Sequence, residues 1–537
     1  MTMKHLHGRL STLRRGYEGF IAATFVIVIF TQGALMGAGV NITQPLNEKR
    51  DLAIFPGWSP SMYGWARWTE FFEDYLNDHA PLRPMLTRIV STGGYHLLGE
   101  SINPDVTIGQ DDWLFFSNWM ELVEFRRLRP LDEKQKEKFS VLFSSLKQWL
   151  DTRGIKFIFI ITPDKSEIFP QFMPSRITRL ENPSVMDQIH MIARHEGVET
   201  IDPRPQLQKA IERGENIYFR YDTHWNQWGG YLAYREFMEQ TTEMLPAITP
   251  ILEVKKSPDM VSEGRDLFDK LGEPYGAGQY KTASFEWPAR GEFTVVDPVQ
   301  SPGAPRIQSH INSNSQLPRA LLYGDSFSAA LMPYFREHFS RLTFVTGSTI
   351  SSEMIYSEKP DILILQVVQR NAPTLIHKLE SMSDMFREIH GVIPSLHMNH
   401  GAGDMMVDPN TFIGKGWTTS PGSPASGYMA YGPYERLEAG RWKVSFRVKR
   451  GASSGALGFV DVACSQGRQV LAKKSLESRD FQAPDVWKEI ELSFEVPGAG
   501  VDDMEYRLFV EQGADLSLDT ITVSKDPPDT RMEAIHP

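Results

Sequence analysis

Three short apolar runs, interrupted by a polar side chain only at Gln366, narrow the fold more than any other feature. They are Phe157-Ile158-Phe159-Ile160-Ile161, Ala320-Leu321-Leu322-Tyr323 and Ile362-Leu363-Ile364-Leu365-Gln366-Val367-Val368. A strand with one wet face alternates apolar and polar residues. A run without alternation belongs to a strand covered on both faces, as in a parallel sheet flanked by helices. Helical stretches lie between the runs. Phe139, Leu142, Phe143, Leu146, Trp149 and Leu150 recur at helical spacing, with Gly154 as a stop. Residues 185–195 form a second helical stretch, before a short strand at 198–202. This alternation predicts a three-layer α/β domain with a mainly parallel sheet. In such sheets ligands bind at the carboxyl ends of strands, where the turn after Tyr323 and the segment after Val368 fall.

From about residue 400 the texture changes. Trp442, Val444, Phe446 and Val448 alternate with Lys443, Ser445, Arg447 and Lys449. Ile490, Leu492, Phe494 and Val496 repeat the pattern, and residues 516–523 give another alternating run. Period-two alternation between Gly/Pro-rich turns predicts antiparallel strands with one wet face, and hence a β-sandwich of about 120 residues. Residues 251–318, rich in Gly, Pro, Ser and Asn, read as a long excursion over the active-site side of the first domain. The expected organisation is a cytoplasmic tail and anchor at 1–41, the α/β domain at 42–399, the β-sandwich at 400–527 and a tail at 528–537.

For a chain of 537 residues, a net charge of −11 argues against nucleic acid as partner, since phosphate binding needs a basic face. The single cysteine, Cys464, permits no intrachain disulfide. Lys4, Arg9, Arg14 and Arg15 precede a mostly apolar stretch from Phe20 to about Val40. Its length approaches the roughly 20 residues that span a bilayer, and basic residues on its N-terminal side place that side in the cytoplasm. The remainder is expected outside the cytoplasm, held to the inner membrane by an uncleaved anchor. Cleavage near Ala34 to Gly39 is the alternative.

Two motifs carry chemistry. Tyr323-Gly324-Asp325-Ser326-Phe327 follows the second apolar run and precedes a stretch, 328–338, with helical character. A serine at such a turn exposes its hydroxyl, and its backbone N–H can help hold an oxyanion. Asp222-Thr223-His224-Trp225 supplies a base and an acid to orient it. Either motif alone is compatible with an ordinary capped turn. No His-Glu-x-x-His is present, and His397 and His400 lie in an expected linker, so neither a metal nor a cofactor is called for.

The motifs occur in an ordered set. Gly109-Gln110-Asp111-Asp112-Trp113-Leu114-Phe115, Pro163-Asp164-Lys165-Ser166-Glu167-Ile168-Phe169-Pro170 and Asp222-Thr223-His224-Trp225-Asn226 come first. Gly264-Arg265-Asp266-Leu267, the Ser326 motif, and Lys359-Pro360-Asp361 leading to Gln369-Arg370-Asn371 complete it. Over residues 45–390 this set resembles the periplasmic alginate O-acetyltransferases of the AlgX/AlgJ type. These are SGNH-hydrolase-like proteins in which the Asp-His pair precedes the serine, a permuted order relative to SGNH esterases. The resemblance implies Ser326 as nucleophile, His224 as base and Asp222 as orienting acid. Asp325 is expected to cap the following helix. It also implies an exported polysaccharide as substrate, an acetyl donor supplied through a membrane-bound O-acyltransferase, and a carbohydrate-binding module at the C-terminus. Gln369 departs from the acidic residue expected before Arg370.

Arg370 and Asn371, beyond the third apolar run, are candidate oxyanion donors, each equally able to be structural. Lys165 and Trp225 are further site candidates, Lys165 having a loop-stabilising ion pair as its competing role. Trp417, Tyr428, Tyr431 and Tyr434, in turn-rich segments, are candidate sugar-stacking residues, each also able to close the sandwich. Three functions stay open: a polysaccharide O-acetyltransferase, an acetyl esterase using the same triad, and a non-catalytic polysaccharide-binding scaffold. The complete triad weighs against the scaffold and leaves the other two unseparated.

Overall fold

A computed structural model describes residues 64–525 apart from 247, 263–264, 276–280, 298–304, 379–390, 422–425 and 499, together with parts of 23–57. The anchor expected at 20–40 is described in part, at 23–24, 26–27 and 30–39, and the tail at 528–537 lies wholly outside the described residues. Among the described residues no helix is long and apolar enough to cross a membrane.

The main sheet has seven strands. In chain order they are β1 (Lys156–Thr162), β2 (Glu199–Ile201), β3 (Phe293–Val296), β4 (Ile307–Asn312), β5 (Arg319–Gly324), β6 (Arg341–Thr346) and β7 (Ile362–Val368). Their order across the sheet is β2-β1-β7-β5-β6-β4-β3. The five strands from β2 to β6 run parallel, whereas β4 and β3 are antiparallel additions. The three apolar runs occupy β1, β5 and β7, and successive residues serve opposite faces. Ile158, Ile160, Leu322 and Ile364 join the cluster formed with helix α3 (Gln227–Thr241) through Tyr231, Tyr234 and Phe237. Phe157, Phe159, Ile161, Leu363 and Leu365 pack on α1 (Glu133–Asp151) and α2 (Val185–His195). Both helices start where their sequences allow a cap. Asp132 forms a capping box with Gln135, and Ser184 accepts the Asp187 N–H.

The excursion at 251–318 differs from a surface loop. It supplies the edge strand β3, its inner neighbour β4 and a separate hairpin, Lys255–Ser262 with Lys281–Glu286. Its composition hid these strands because both are only partly buried and carry no apolar run. The expected helix at 328–338 is instead a succession of short turns: a 3₁₀ segment at Ser326–Ala330, a single α turn at Met332–Phe335 and a second 3₁₀ segment at Arg336–His338. Pro333 lies in the first turn of that α segment, where its missing N–H interrupts any ladder arriving from Ser326.

The C-terminal residues form two antiparallel sheets. The first contains β8 (Val392–Pro394), β9 (Asp404–Val407), β10 (Lys415–Thr418), β13 (Gly440–Arg450), β16 (Trp487–Val496) and β18 (Leu516–Lys525). The second contains β11 (Gly427–Ala430), β12 (Pro433–Leu437), β14 (Ala456–Cys464), β15 (Gln469–Glu477) and β17 (Val501–Val510). Val444, Phe446, Ile490, Leu492 and Phe494 from the first sheet meet Val460, Val462, Met504, Tyr506 and Leu508 from the second in one core. The one-wet-face expectation holds for β16 and fails for β18, where residues 516–521 are buried on both faces. The polar residues of that run are engaged within the sandwich: Asp519 accepts the Phe412 N–H at 2.8 Å and pairs with Arg447, and Ser517 shares a 2.9 Å hydrogen bond with Thr418. Val141 of α1 packs into the sandwich core, His397 shares a 2.9 Å hydrogen bond with Ser145, and Lys415 pairs with Glu196. Residues 392–400 are therefore built into the sheet rather than forming a free linker: β8 pairs with β18, and His400 stacks on Trp417 at 3.7 Å.

Candidate active site

Strand β5 ends at Gly324, and the chain turns sharply into Ser326. The turn depends on glycine, since a Cβ at Gly324 would stand 2.2 Å from Ser328 Oγ and 2.8 Å from Gln366 Oε1. Asp325 ties the turn down. Its Oδ1 accepts the Phe327 N–H at 3.0 Å, the expected capping contact. It also accepts Gln366 Nε2 at 3.0 Å, and its Oδ2 accepts the Val368 N–H at 2.6 Å. Ser326 itself is exposed.

The facing turn, 219–226, is pinned from below. Lys165, only 2% exposed, donates from Nζ to the carbonyls of Phe219 and Arg220 at 3.2 Å and of Asp222 at 2.6 Å. These three carbonyl contacts give the lysine a loop-stabilising role. Trp225 is buried, and its Nε1 donates to the Phe327 carbonyl at 3.1 Å, which fastens the histidine turn to the serine turn.

These supports bring three side chains into line. His224 Nε2 is 2.6 Å from Ser326 Oγ, and His224 Nδ1 is 2.6 Å from Asp222 Oδ1. With Asp222 ionised, Nδ1 carries the proton and Nε2 is left as acceptor for the serine hydroxyl. Burial pushes the Asp222 carboxyl up. The hydrogen bond and charge of the His224 ring outweigh it, helped by the backbone N–H groups of Asp266 and His224, and hold it below the usual carboxylate range. Exposure falls along the line, from exposed Ser326 through half-buried His224 to buried Asp222.

Asp266 is a further member that motif reading did not single out. Its Oδ1 accepts the Thr223 N–H at 2.7 Å, its own N–H donates to Asp222 Oδ2 at 3.1 Å, and its Oδ2 is 3.9 Å from His224 Nδ1. Burial and then the neighbouring Asp222 charge push its carboxyl up. Its place in Gly264-Arg265-Asp266-Leu267 was the available signal. Asp222, His224 and Asp266 offer ligand atoms within 4.8 Å of one another. The Asp222 and Asp266 Oδ1 atoms already serve as acceptors for the histidine turn, so hydrogen bonding accounts for the cluster.

Behind the serine turn lies a buried ion network. Arg370 pairs with Asp164 through Nη1, accepts further company from Glu121 at 3.7 Å, and stands 5.7 Å from the Phe327 ring. Its backbone N–H also donates to Asp164 Oδ2 at 2.9 Å. Burial, reinforced by the Asp164 charge and opposed by Arg370, drives Glu121 well above the carboxylate range. Gln369, in place of an acid, accepts the Asp164 N–H at 3.2 Å. Asn371 contributes its carbonyl to Thr374.

Of the aromatic candidates, Tyr428, Tyr431 and Tyr434 line one cleft of about 590 Å³ on the second C-terminal sheet. Trp417 stands apart from it: the residue is 8% exposed and its Nε1 donates to the Ser395 carbonyl at 3.0 Å.

Residues 106–341, under half of the chain, match the family described as SGNH hydrolase-like domain, acetyltransferase AlgX. The probable alginate O-acetylase AlgJ of Pseudomonas syringae pv. tomato is 22% identical over 180 residues, covering 34% of this chain and 44% of that protein. The match thus spans less than half of the relative's length. Among solved structures, the O-acetyltransferase domain of Pseudomonas putida AlgJ is 18% identical with a TM-score of 0.36, over 50% of this chain and 93% of that one. AlgX of Pseudomonas aeruginosa is 14% identical with a TM-score of 0.35, over 78% and 94%. The family match and the curated relative bear out the resemblance read from the six motifs.

Proposed function

We propose that this chain is an O-acetyltransferase that carries acetyl on Ser326 and delivers it to hydroxyls of an exported polysaccharide. The observation that carries the reading is the hydrogen-bonded line Ser326–His224–Asp222, 2.6 Å at each step. The acetylase names of the relatives agree with it.

In the first step Ser326 Oγ attacks the acetyl carbonyl carbon while its proton passes to His224 Nε2. The bond to the donor oxygen breaks, and the leaving group takes that proton from the imidazolium. In the second step a sugar hydroxyl gives its proton to Nε2 and attacks the acyl carbon, and Ser326 leaves with the proton restored. Asp222 keeps the ring in the required tautomer and stabilises the imidazolium. The Ser326 N–H is the proposed first oxyanion donor. Arg370 is engaged by two carboxylates, so its assigned part is to hold the loop after β7 behind Phe327.

Because Ser326 is exposed, water can compete for the acyl group, and transfer wins only where an acceptor is held in place. The C-terminal sheets are the proposed holder. The proposed setting is outside the cytoplasm, anchored at the inner membrane, with acetyl arriving through a membrane-bound acyltransferase. The test supplies an activated acetyl ester and oligosaccharide to the purified chain. Acetylated sugar formed faster than free acetate is the expected result. Acetate release unchanged by sugar, with no acetylated product, would make the chain an esterase.

A further inference from the structure

The cleft on the second C-terminal sheet is built on the face turned away from the sandwich core. Along β17, Met504, Tyr506, Leu508 and Val510 point into the core, which leaves Asp503, Glu505, Arg507 and Phe509 on the outer face. Charged residues on an outer sheet face are ordinarily well hydrated. Here Glu505 is 4% exposed and Arg507 7%. Tyr428 of β11, Tyr431, and Tyr434 of β12 wall them in, with Gln466 and Asp503 at the other side. Tyr428 is braced edge-on against Phe509 at 5.3 Å and Phe459 at 6.2 Å, so it forms part of the wall. Tyr434, 44% exposed, is free to stack, and its backbone lies in the left-handed region at φ 66°. A bulky residue there is costly, and such outliers persist where the surroundings enforce them.

The charges of this cleft decide what it takes. Arg507 is not available as a free cation. Its Nε and Nη2 make bidentate contacts with buried Asp461 at 2.7 and 2.8 Å. Asp503 accepts the backbone N–H groups of Ser465 and Gln466 at 3.0 and 2.8 Å. The Glu505 carboxyl accepts no hydrogen bond among the described residues, and burial pushes it up. Two carboxyl groups therefore border a space whose one guanidinium is already matched. Aromatic rings with fixed hydrogen-bonding groups suit a pyranose ring, and the balance of charge repels a carboxylate on every residue of a polymer.

We infer that the Tyr428–Tyr431–Tyr434 cleft selects an uncharged glycan and rejects a polyuronate. This rests on the C-terminal sheets being the polymer holder, and it sets the chain apart from what the names of its alginate-acetylating relatives state.

The test measures binding of cellohexaose, a hexuronate oligomer of the same length and a glucosamine hexamer to the full chain by calorimetry. The neutral oligomer is expected to bind at least about tenfold more tightly than the hexuronate, since like charges meeting at a partly dry surface cost at least that factor. Tyr434→Ala should weaken neutral binding about tenfold through lost stacking. Glu505→Gln should narrow the gap between the neutral oligomer and the hexuronate. Tighter binding of the hexuronate or of the glucosamine hexamer, abolished by Tyr434→Ala, would overturn the selectivity and leave the holder in place. Binding of none of the three would remove the holder itself and the inference with it. A thermal melt of each variant against the parent chain separates misfolding from lost contact.

Discussion

The serine turn and the tyrosine cleft handle buried charge in opposite ways. At the serine turn nearly every carboxylate oxygen has a donor: Asp222 takes His224 and Asp266, Asp325 takes Phe327, Gln366 and Val368, and Asp266 takes Thr223. Matched groups are held in one geometry, which suits a proton relay that must not reorganise. In the cleft Glu505 is enclosed without such a donor, beside an arginine already matched to Asp461. A region organised for chemistry is saturated internally, while a region organised for a ligand keeps some hydrogen-bonding capacity for it.

The comparison is broken most severely at Ser326. Ser326→Ala and His224→Ala are each expected to lower acetyl-ester turnover by about 10³-fold or more, with similar losses because the pair acts as one unit. Thermal stability should stay within a degree or two for Ser326→Ala, which removes an exposed hydroxyl. Turnover within threefold of the parent would end the relay assignment.

Next in size is the contrast between the two acids. Asp222→Asn is expected to cost about 10²- to 10⁴-fold in kcat through loss of the tautomer, whereas Asp266→Asn keeps an oxygen for the Thr223 N–H and should cost about tenfold or less. Equal losses would make Asp266 a full partner of the relay. Sharpening the other side, Tyr431→Ala should reduce acetylation of polymer by about tenfold and leave turnover of a small acetyl ester unchanged. Equal loss on both substrates would mean that the cleft supports the catalytic fold.

The smallest expected effect concerns the joint between the regions. Burial lowers the His397 pKa to about 3, so the ring stays neutral in the folded chain while the unfolded chain takes a proton below about pH 6.5. This contribution is complete above that pH and declines as pH falls toward 3, by up to about 1.4 kcal/mol per pH unit. His338, buried in the α/β core against the Tyr234 hydroxyl and lowered to about 4, acts in the same direction. Melting temperature followed from pH 7 to 4 should fall less steeply in His397→Gln than in the parent chain. Parallel slopes would place the acid sensitivity elsewhere.

How much of this was legible in the sequence depended on the kind of signal. β1, β5 and β7 were readable because burial on both faces leaves an unbroken apolar run. Gln366 broke the run in β7 for a reason visible only in three dimensions: it holds Asp325, Ser328 and Thr162 at the serine turn. The edge strand β3 and its neighbour β4 carry no such run and were hidden. The alternation of residues 516–523 promised a wet face, but Ser517 and Asp519 are engaged by Thr418, Phe412 and Arg447, partners far along the chain. Ser326, His224 and Asp222 stood out because their motifs are local. Asp266 and Lys165 support them through backbone groups, which leave no residue-type signature on the partner. The tyrosines were readable as candidates, while the closed-off Glu505 and matched Arg507 were not, since only the fold puts them on a covered outer face.

Covalent trapping tests the central claim most directly. The full chain is mixed with an activated acetyl ester, quenched in acid, digested and examined by mass spectrometry. The account predicts one acetyl group on the peptide containing Ser326, lost on adding acceptor sugar and absent from His224→Ala. Acetate released with no acetyl on Ser326 at any time, or acetyl carried on another residue, would contradict it.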